Sequence, residues 1–402
     1  MLWGISFFNY ADRQAVFSVF PLLEREMHLD AVQLGWLGSS FAIAYGLFSP
    51  LAGFIVDRIR RRTAVLAGLQ IWSIVCTLTA LSRNFTGLLS FRTAEGLGET
   101  VYYPASMSMV ADYHGHATRS RAMAFHQTSV YVGTIAGGFF AGLISQYYGW
   151  RLSFVVFGCL GIALGMVLRK FLKEPQRGAS EVSGAPIERK VPAAEVLRTL
   201  FNTPTALLLM AAFLCANFVA VVLLSWMPRF LFERYHMSLA MSGLTATIYV
   251  QLASMIAGPF GGWLADSLRK RTLRGRLIVQ LIGVAGGAPF VALCGMTHSP
   301  FWLVIALTAW GLFKGIYDSN TWASLFDVVR PEVRGSIAGL MNMIGWLGGG
   351  GTAPIVIGVV SIHYGLGTAI AFASAVYVAA AIFLLIAIIG FVHRDALRLA
   401  PN

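Results

Sequence analysis

Apolar runs of about the length that spans a bilayer, ~20 residues, follow one another along the whole chain, broken by short clusters of charge, Gly and Pro. Reading windows of this pattern predicts twelve helices, at 2–23, 34–56, 63–82, 85–109, 122–145, 152–172, 204–228, 238–265, 277–296, 301–328, 336–360 and 366–391. The first run starts at once, without a basic segment or a small-residue cleavage site, and reads as a retained helix rather than a signal peptide. One long polar stretch, 173–203, is rich in Pro, Gly, Ser and charge, as linkers are. It divides the chain into a six-helix bundle over 1–172 and a second over 204–392, followed by a tail at 393–402.

Composition agrees with this picture. Of 402 residues, 57% are hydrophobic and 12% charged, about half the charge of a soluble domain. A multi-pass integral membrane protein follows, and a large soluble catalytic domain is excluded. The net charge of +12 raises nucleic acid as a partner, but the charges are laid out by loop. Most of the 30 Lys and Arg fall after helices 2, 4, 6, 8 and 10 and in the tail, among them Arg58, Arg60, Arg61, Arg62, Arg119, Arg121, Arg269, Lys270 and Arg271. The opposite loops hold Arg25, Arg83, Arg151, Arg229 and Arg234. The positive-inside rule then places both termini in the cytoplasm, with the plasma (inner) membrane as the expected location. The basic balance reports topology, and no nucleic-acid partner is expected.

Two loops one half-chain apart repeat a pattern. Gly53 stands four residues before Asp57, which Arg58, Arg60 and Arg61 follow; Gly262 stands four residues before Asp266, which Arg269, Lys270 and Arg271 follow. A second echo pairs the segment starting at Arg121 with the one starting at Arg334. Two related six-helix halves are the architecture of alternating-access carriers, with the site between the halves near the bilayer midplane.

Charges inside the spans are expensive and mark pathways or partners. Asp12 and Arg13 lie in the middle of helix 1, in Asn9-Tyr10-Ala11-Asp12-Arg13. Arg92, Glu95 and Glu99 share one face of helix 4 by their i, i+3, i+7 spacing. Gly96 and Gly98 permit close helix approach there, and Pro104 is expected to kink the helix. Lys314 and Asp318 in helix 10 are i, i+4 and able to neutralise each other. A carboxylate whose distance to an Arg changes as two halves rock changes its proton affinity, so Asp12 and Glu99 are the proton-coupling candidates. Arg13, Arg92, Glu95, Lys314 and Asp318 are substrate-binding candidates, with Tyr10, Gln127, Tyr131, Asn217, Tyr249 and Asn342 as further lining residues. For each, plain helix packing is the competing reading. The same holds for His126, while Cys76, Cys159, Cys215 and Cys294, each in its own apolar run, read as packing residues and not as metal ligands or disulfides. The glycines at 348–351 read as a hinge or a tight helix contact, since no phosphate-loop Lys follows.

These residues resemble a known family. The GxxxDRxxRR pattern is similar to the cytoplasmic signature of the major facilitator superfamily, which implies an all-α membrane fold of twelve transmembrane helices in two pseudo-symmetric six-helix bundles. The resemblance implies a gating role for Gly53, Asp57, Arg58, Arg61 and Asp266, in latching the halves. The NYxDR of helix 1 resembles that of the Spinster-like carriers and of the anion:cation symporters, and Arg92 to Glu99 resembles the RxxxGxGE of Spinster helix 4. Pro104 with Asp112 and Tyr113, Gln146 to Arg151, and Lys173 to Gly178 extend the likeness. It implies proton coupling at Asp12 and Glu99 and a substrate or coupling contact at Arg13. Glu95, where an apolar residue is expected, and Lys314 depart from the Spinster pattern and make the path more polar than a lipid needs. Three cations, Arg13, Arg92 and Lys314, suit an anion, because a planar guanidinium captures a carboxylate with two bonds.

The expected function is therefore a secondary active transporter, a proton-coupled symporter of a small organic anion such as a sugar acid or carboxylate, acting as a monomer without cofactor or metal. A Spinster-like carrier of lysophospholipid or sphingolipid-like amphiphiles is the alternative. A channel in the same fold is a further one. A membrane-embedded enzyme is a remote one, since no HExxH, GxSxG or Walker motif is present.

Overall fold

In the computed structural model, which describes residues 1–114, 116–174 and 191–398, every regular element is helical. The first six spans are α1 (Leu2–Ser18) with α2 (Phe20–Met27), α3 (Ala31–Arg58), α4 (Arg61–Thr79), α5 (Phe85–Glu99) with α6 (Tyr102–Tyr113), α7 (His116–Tyr148) and α8 (Trp150–Phe171). A short helix, α9 (Ala193–Phe201), lies in the stretch read as a linker. The second six are α10 (Pro204–Tyr235), α11 (Leu239–Arg269), α12 (Gly275–Met296), α13 (Pro300–Asp318) with α14 (Thr321–Phe326), α15 (Arg334–Ile344) with α16 (Ala353–Tyr364), and α17 (Leu366–Ile386) with α18 (Val392–Leu397).

Ten helices of the described residues are long and apolar enough to cross a membrane. The remaining two spans of the twelve-helix architecture are α1 with α2 and α5 with α6, which carry the buried charges and are broken in mid-course. Each break has a local cause. Pro21 sits in the first turn of α2 after Val19 leaves the helix. Pro104 has no N–H to offer the carbonyl of Thr100 four residues earlier, and α5 ends at Glu99. At the break between α13 and α14, Asn320 donates its side-chain amide to the carbonyls of Gly261 and Ile316 at 3.2 and 3.1 Å. The glycine run of the eleventh span forms a π-helical segment, Gly345–Gly350, between α15 and α16.

Helix starts follow ordinary capping chemistry. Asp30 and Gln33 exchange side-chain bonds with each other's backbone N–H ahead of α3, and Asn84 accepts from Gly87 N ahead of α5 at 2.8 Å. Buried Asp395 of α18 accepts from both the N–H and the hydroxyl of Thr205, holding the start of α10.

The chain forms two compact units. The first comprises Met1–Pro186 with Leu224–Ile248 and Pro354–Val359; the second comprises Ile187–Leu223, Tyr249–Ala353 and Val360–Asn402. In the first, Ile5, Leu69, Trp72, Tyr102, Ala105 and Met109 form the buried cluster that joins α1, α4 and α6. Helices approach over small residues, as membrane helices do. A Cβ on Gly96 of α5 would stand 2.6 Å from the Phe41 carbonyl of α3, so only glycine fits there. The outward faces carry Ile74, Leu160, Met166, Ile256, Ile382 and Ile389, all large, apolar and exposed, as lipid contact requires.

The two halves repeat one another in backbone detail. Among the described residues, positive φ occurs at His28 and His236, closing the first and seventh spans, and at Gly149 and Gly365, opening the sixth and twelfth. Arg119 donates to the carbonyls of His114 and Ala111. Arg334 does the same, at the same spacings, to Val329 and Phe326. The structural counterpart of Arg334 is thus Arg119 rather than Arg121, two positions from the echo read in sequence, because the bonding geometry is what repeats.

Candidate functional site

The buried ionisable residues of the first unit meet between α1 and α5, which reach one another through side chains. Arg13 Nε donates to Glu99 Oε2 at 2.5 Å, linking the two helices. Glu99 is the last residue of α5, so the break before α6 ends the helix at the acid. The Arg13 guanidinium also lies 4.8, 4.9 and 4.8 Å from the ring centres of Tyr10, Phe41 and Tyr45. On α5, Arg92 Nη1 donates to Glu95 Oε2 at 2.5 Å, and its guanidinium lies 4.9 Å from the same Phe41 ring. Phe41 therefore serves both guanidiniums, and cation–π contacts of this kind contribute about 0.5–2 kcal/mol each.

Asp12 is fully buried, and among the described residues no ion pair reaches its carboxylate; its neighbouring donor is the Trp72 indole. One Asp12 oxygen, a Glu95 oxygen and Cys76 Sγ lie within 4.8 Å of one another. The Cys76 thiol faces the carbonyl of Phe154 at 3.6 Å. Trp72, one turn before Cys76 on α4, is also buried and turned toward Asp12.

This is a charge problem with a visible remainder. Three buried carboxylates, Asp12, Glu95 and Glu99, face two guanidiniums, Arg13 and Arg92. An unbalanced charge in a low-dielectric interior is costly, and one bound proton removes it. The Asp12, Glu95 and Cys76 atoms are of metal-ligand type, yet Arg92 already holds a Glu95 oxygen. One proton balances the remainder, whereas a divalent ion would overshoot it.

The other sequence candidates fall into separate groups. Gln127 is exposed and Tyr131 half-buried, both on α7. His126, on the same helix, is buried with its ring 3.4 Å from the Tyr102 hydroxyl. In the second unit Lys314 and Asp318 form an ion pair along α13, with Asp318 substantially exposed. Asn217 donates to the carbonyl of Phe213 on its own helix at 3.1 Å and stands against the π-helical glycines. Tyr249 is exposed and Asn342 half-buried.

At the basic loops, Arg61 pairs with Asp112 and donates to the carbonyl of Ser108 at 3.2 Å. Glu174 accepts from the backbone N–H groups of Arg61 and Arg62 at 2.9 and 2.7 Å, capping α4. Asp266 pairs with Arg276 at 2.8 Å, and Asp327 binds Arg276 and Arg269 at 2.7 and 3.0 Å. Arg61 and Asp266 are thus each paired inside their own unit. Arg58 is exposed. Gly53 and Asp57 fall in the last turns of α3, and the Asp57 side chain lies outside what the structure describes.

Sequence reasoning missed Phe41, Tyr45, Trp72 and Cys76 as neighbours of the charges. The first two are i, i+4 on α3 and the last two i, i+4 on α4, a spacing that marks a common face but also marks ordinary core. Nothing in the sequence distinguishes the two cases.

Comparison with known proteins agrees with the geometry. The chain is 25% identical over 343 residues to the "Hexuronate transporter" of Bacillus subtilis, covering 84% of this chain and 81% of the relative. It is 24% identical over 425 residues to the "Probable galactarate/D-glucarate transporter GudP" of the same organism, covering 99% and 92%. A crystal structure of a bacterial homolog of the human lysosomal transporter Spinster, inward-facing and unoccupied, superposes with a TM-score of 0.82 at 22% identity, covering 100% of this chain and 98% of the other. The sequence model of the Major Facilitator Superfamily matches residues 2–354. The chain belongs to that superfamily and is a membrane transporter, not an enzyme.

Proposed function

We propose that this transporter moves a small sugar acid, a hexuronate or an aldarate, together with protons. The observation that carries the reading is the buried set in which three carboxylates share two guanidiniums. It is one proton short of neutral, and its guanidiniums suit a substrate carboxylate. Asp12 and Glu99 take up and release the proton, Arg13 and Arg92 receive the anion, and Glu95 lies between them. Lys314, Asp318, Tyr10, Gln127, Tyr131, Asn217, Tyr249 and Asn342 line the path in this reading. Gly53, Asp57, Arg58, Arg61 and Asp266 govern the movement of the two six-helix halves, 1–172 and 204–392. The names of the hexuronate and galactarate/D-glucarate relatives support the substrate class, and the acidic remainder supports the coupling ion. The protein works as a monomer in the plasma membrane, with both termini in the cytoplasm, as the loop charges favour.

The test is uptake of radiolabelled D-galacturonate and D-glucarate into proteoliposomes under an inward proton gradient. Accumulation above the external concentration that collapses with a protonophore is the expected result. Movement of lysophospholipid with no response to sugar acids would overturn the reading in favour of an amphiphile carrier.

A further inference from the structure

The two buried ion pairs differ in kind. Arg13 and Glu99 stand on different helices, so relative movement of α1 and α5 alters their separation. Arg92 and Glu95 stand three residues apart on one helix, each 1% exposed. No movement of α5 as a body separates them. Only a proton on Glu95 or a competing anion at Arg92 does so.

The surroundings of the second pair are under-satisfied. Among the described residues Glu95 Oε1 and Arg92 Nε are buried without a hydrogen-bond partner, Asp12 is buried with the Trp72 indole as its neighbouring donor, and the Asp12 and Glu95 carboxylates approach within 4.8 Å. Two carboxylates this close in an interior cannot both stay charged without large repulsion, and they hold one proton between them. The groups that act on the Asp12 and Glu95 carboxylates are Arg13 from α1, Trp72 and Cys76 from α4, and Arg92 and Glu99 from α5, with Phe41 of α3 against the Arg92 guanidinium. In this arrangement Glu99 is held by Arg13 and the Cys76 thiol is turned to Phe154, so the proton rests with Asp12 and Glu95, and Glu99 takes part in coupling only when its pair with Arg13 opens.

We infer that Asp12 and Glu95 share one proton, and that Glu95 is an internal stand-in for the substrate on Arg92. When the proton sits on Glu95, its new O–H turns to Asp12 and the Arg92 guanidinium is released with its full positive charge to a substrate carboxylate. When the anion leaves, Glu95 loses the proton and returns to Arg92. On the alkaline side, where the shared proton has left the pair, one proton enters from water for each carboxylate captured; below that range the proton only passes from Asp12 to Glu95. This rests on the anion-carrier reading above and adds to it the group that makes anion binding depend on the proton. The sign follows: rising pH returns Glu95 to Arg92 and weakens substrate binding.

Two measurements on the purified full-length protein test it. Infrared difference titration detects the protonated carboxyl without any substrate. A single titrating band is expected, lost in both Asp12→Asn and Glu95→Gln because the proton is shared. A band that persists unchanged in Glu95→Gln overturns the proposal. Binding of D-glucarate by calorimetry between pH 5 and 8 provides the second measurement. In the native chain, affinity is expected to fall about tenfold per pH unit on the alkaline side, the slope for one linked proton, and in Glu95→Gln it is expected to be tight and flat. A native-like slope in Glu95→Gln overturns the proposal. Should Glu95→Gln fail to fold, Glu95→Asp keeps the charge, and an infrared midpoint unmoved by it is equally decisive against Glu95. If the native chain binds no sugar acid at any pH, the anion-carrier reading fails, and the infrared result still decides whether the proton is shared.

Discussion

At the scale of single residues, the site divides into charges that sequence could find and neighbours that it could not. Asp12, Arg13, Arg92, Glu95 and Glu99 stand out because an ionisable residue in an apolar run violates the pattern around it. Phe41 obeys its pattern, yet it packs against both guanidiniums, and Cys76, read as packing, lies beside two acids. Arg13 tests the value of the aromatic surround. Arg13→Lys keeps the charge but loses the planar stack on Tyr10, Phe41 and Tyr45, and is expected to weaken sugar-acid binding by about tenfold, or ~1.4 kcal/mol. Arg58→Ala, at an exposed position, is expected to change transport rate with affinity held within about twofold. Calorimetry on both variants checks this, and equal losses of affinity remove Arg13 from the anion site. Glu99→Gln mimics the protonated acid, so it is expected to abolish gradient-driven uptake while leaving substrate exchange across the membrane measurable. Unchanged accumulation in Glu99→Gln removes it from proton coupling.

At the scale of elements, the helices were legible and their interruptions only partly so. Apolar length locates the spans because lipid imposes it, and Pro104 announces trouble in the fourth. Pro104 accounts for the break after Glu99, but how closely α5 fits against α3 at that level is not a property of the local sequence. The fit is set by glycine. Gly96→Ala puts a Cβ 2.6 Å from the Phe41 carbonyl, and backbone cannot yield as a flexible side chain would. Overpacking of this kind costs about 1–3 kcal/mol. The expected outcome is a lowered midpoint of thermal unfolding, together with weakened anion binding, because α3 carries Phe41 and Tyr45 away from Arg13. Gly335→Ala is the control, since a Cβ there meets nothing within 4 Å. If the two alanines behave alike, close packing of α3 on α5 is not what places the aromatics.

At the scale of the whole molecule, the repeat was legible in loop motifs, but its depth appears in bonds: the paired positive-φ positions and the matched Arg119 and Arg334 geometry belong to one six-helix design used twice. The first unit also contains the ends of helices from the second half, and its contacts there are close. Gln14 of α1 donates to the carbonyl of Leu224 on α10 at 3.0 Å, Arg229 joins Glu24 to Glu233, and Trp226 donates to the carbonyl of Pro354 at 3.2 Å. Gly138 of α7 meets Gly243 of α11 so closely that a Cβ on Gly138 would stand 2.7 Å from the Gly243 carbonyl. A carrier that alternates must open and remake such a seal in every cycle. Gly243→Trp forbids remaking it. Its expected effect is loss of net uptake with sugar-acid binding retained, since the charged site itself is unaltered. In a background with Cys76, Cys159, Cys215 and Cys294 replaced, Ser18→Cys reports the seal directly, because Ser18 is 1% exposed and lies against Gly243. A membrane-impermeant maleimide is expected to label it several times faster with Gly243→Trp than without. Equal labelling, with transport intact, means that the glycine crossing is not part of the moving seal.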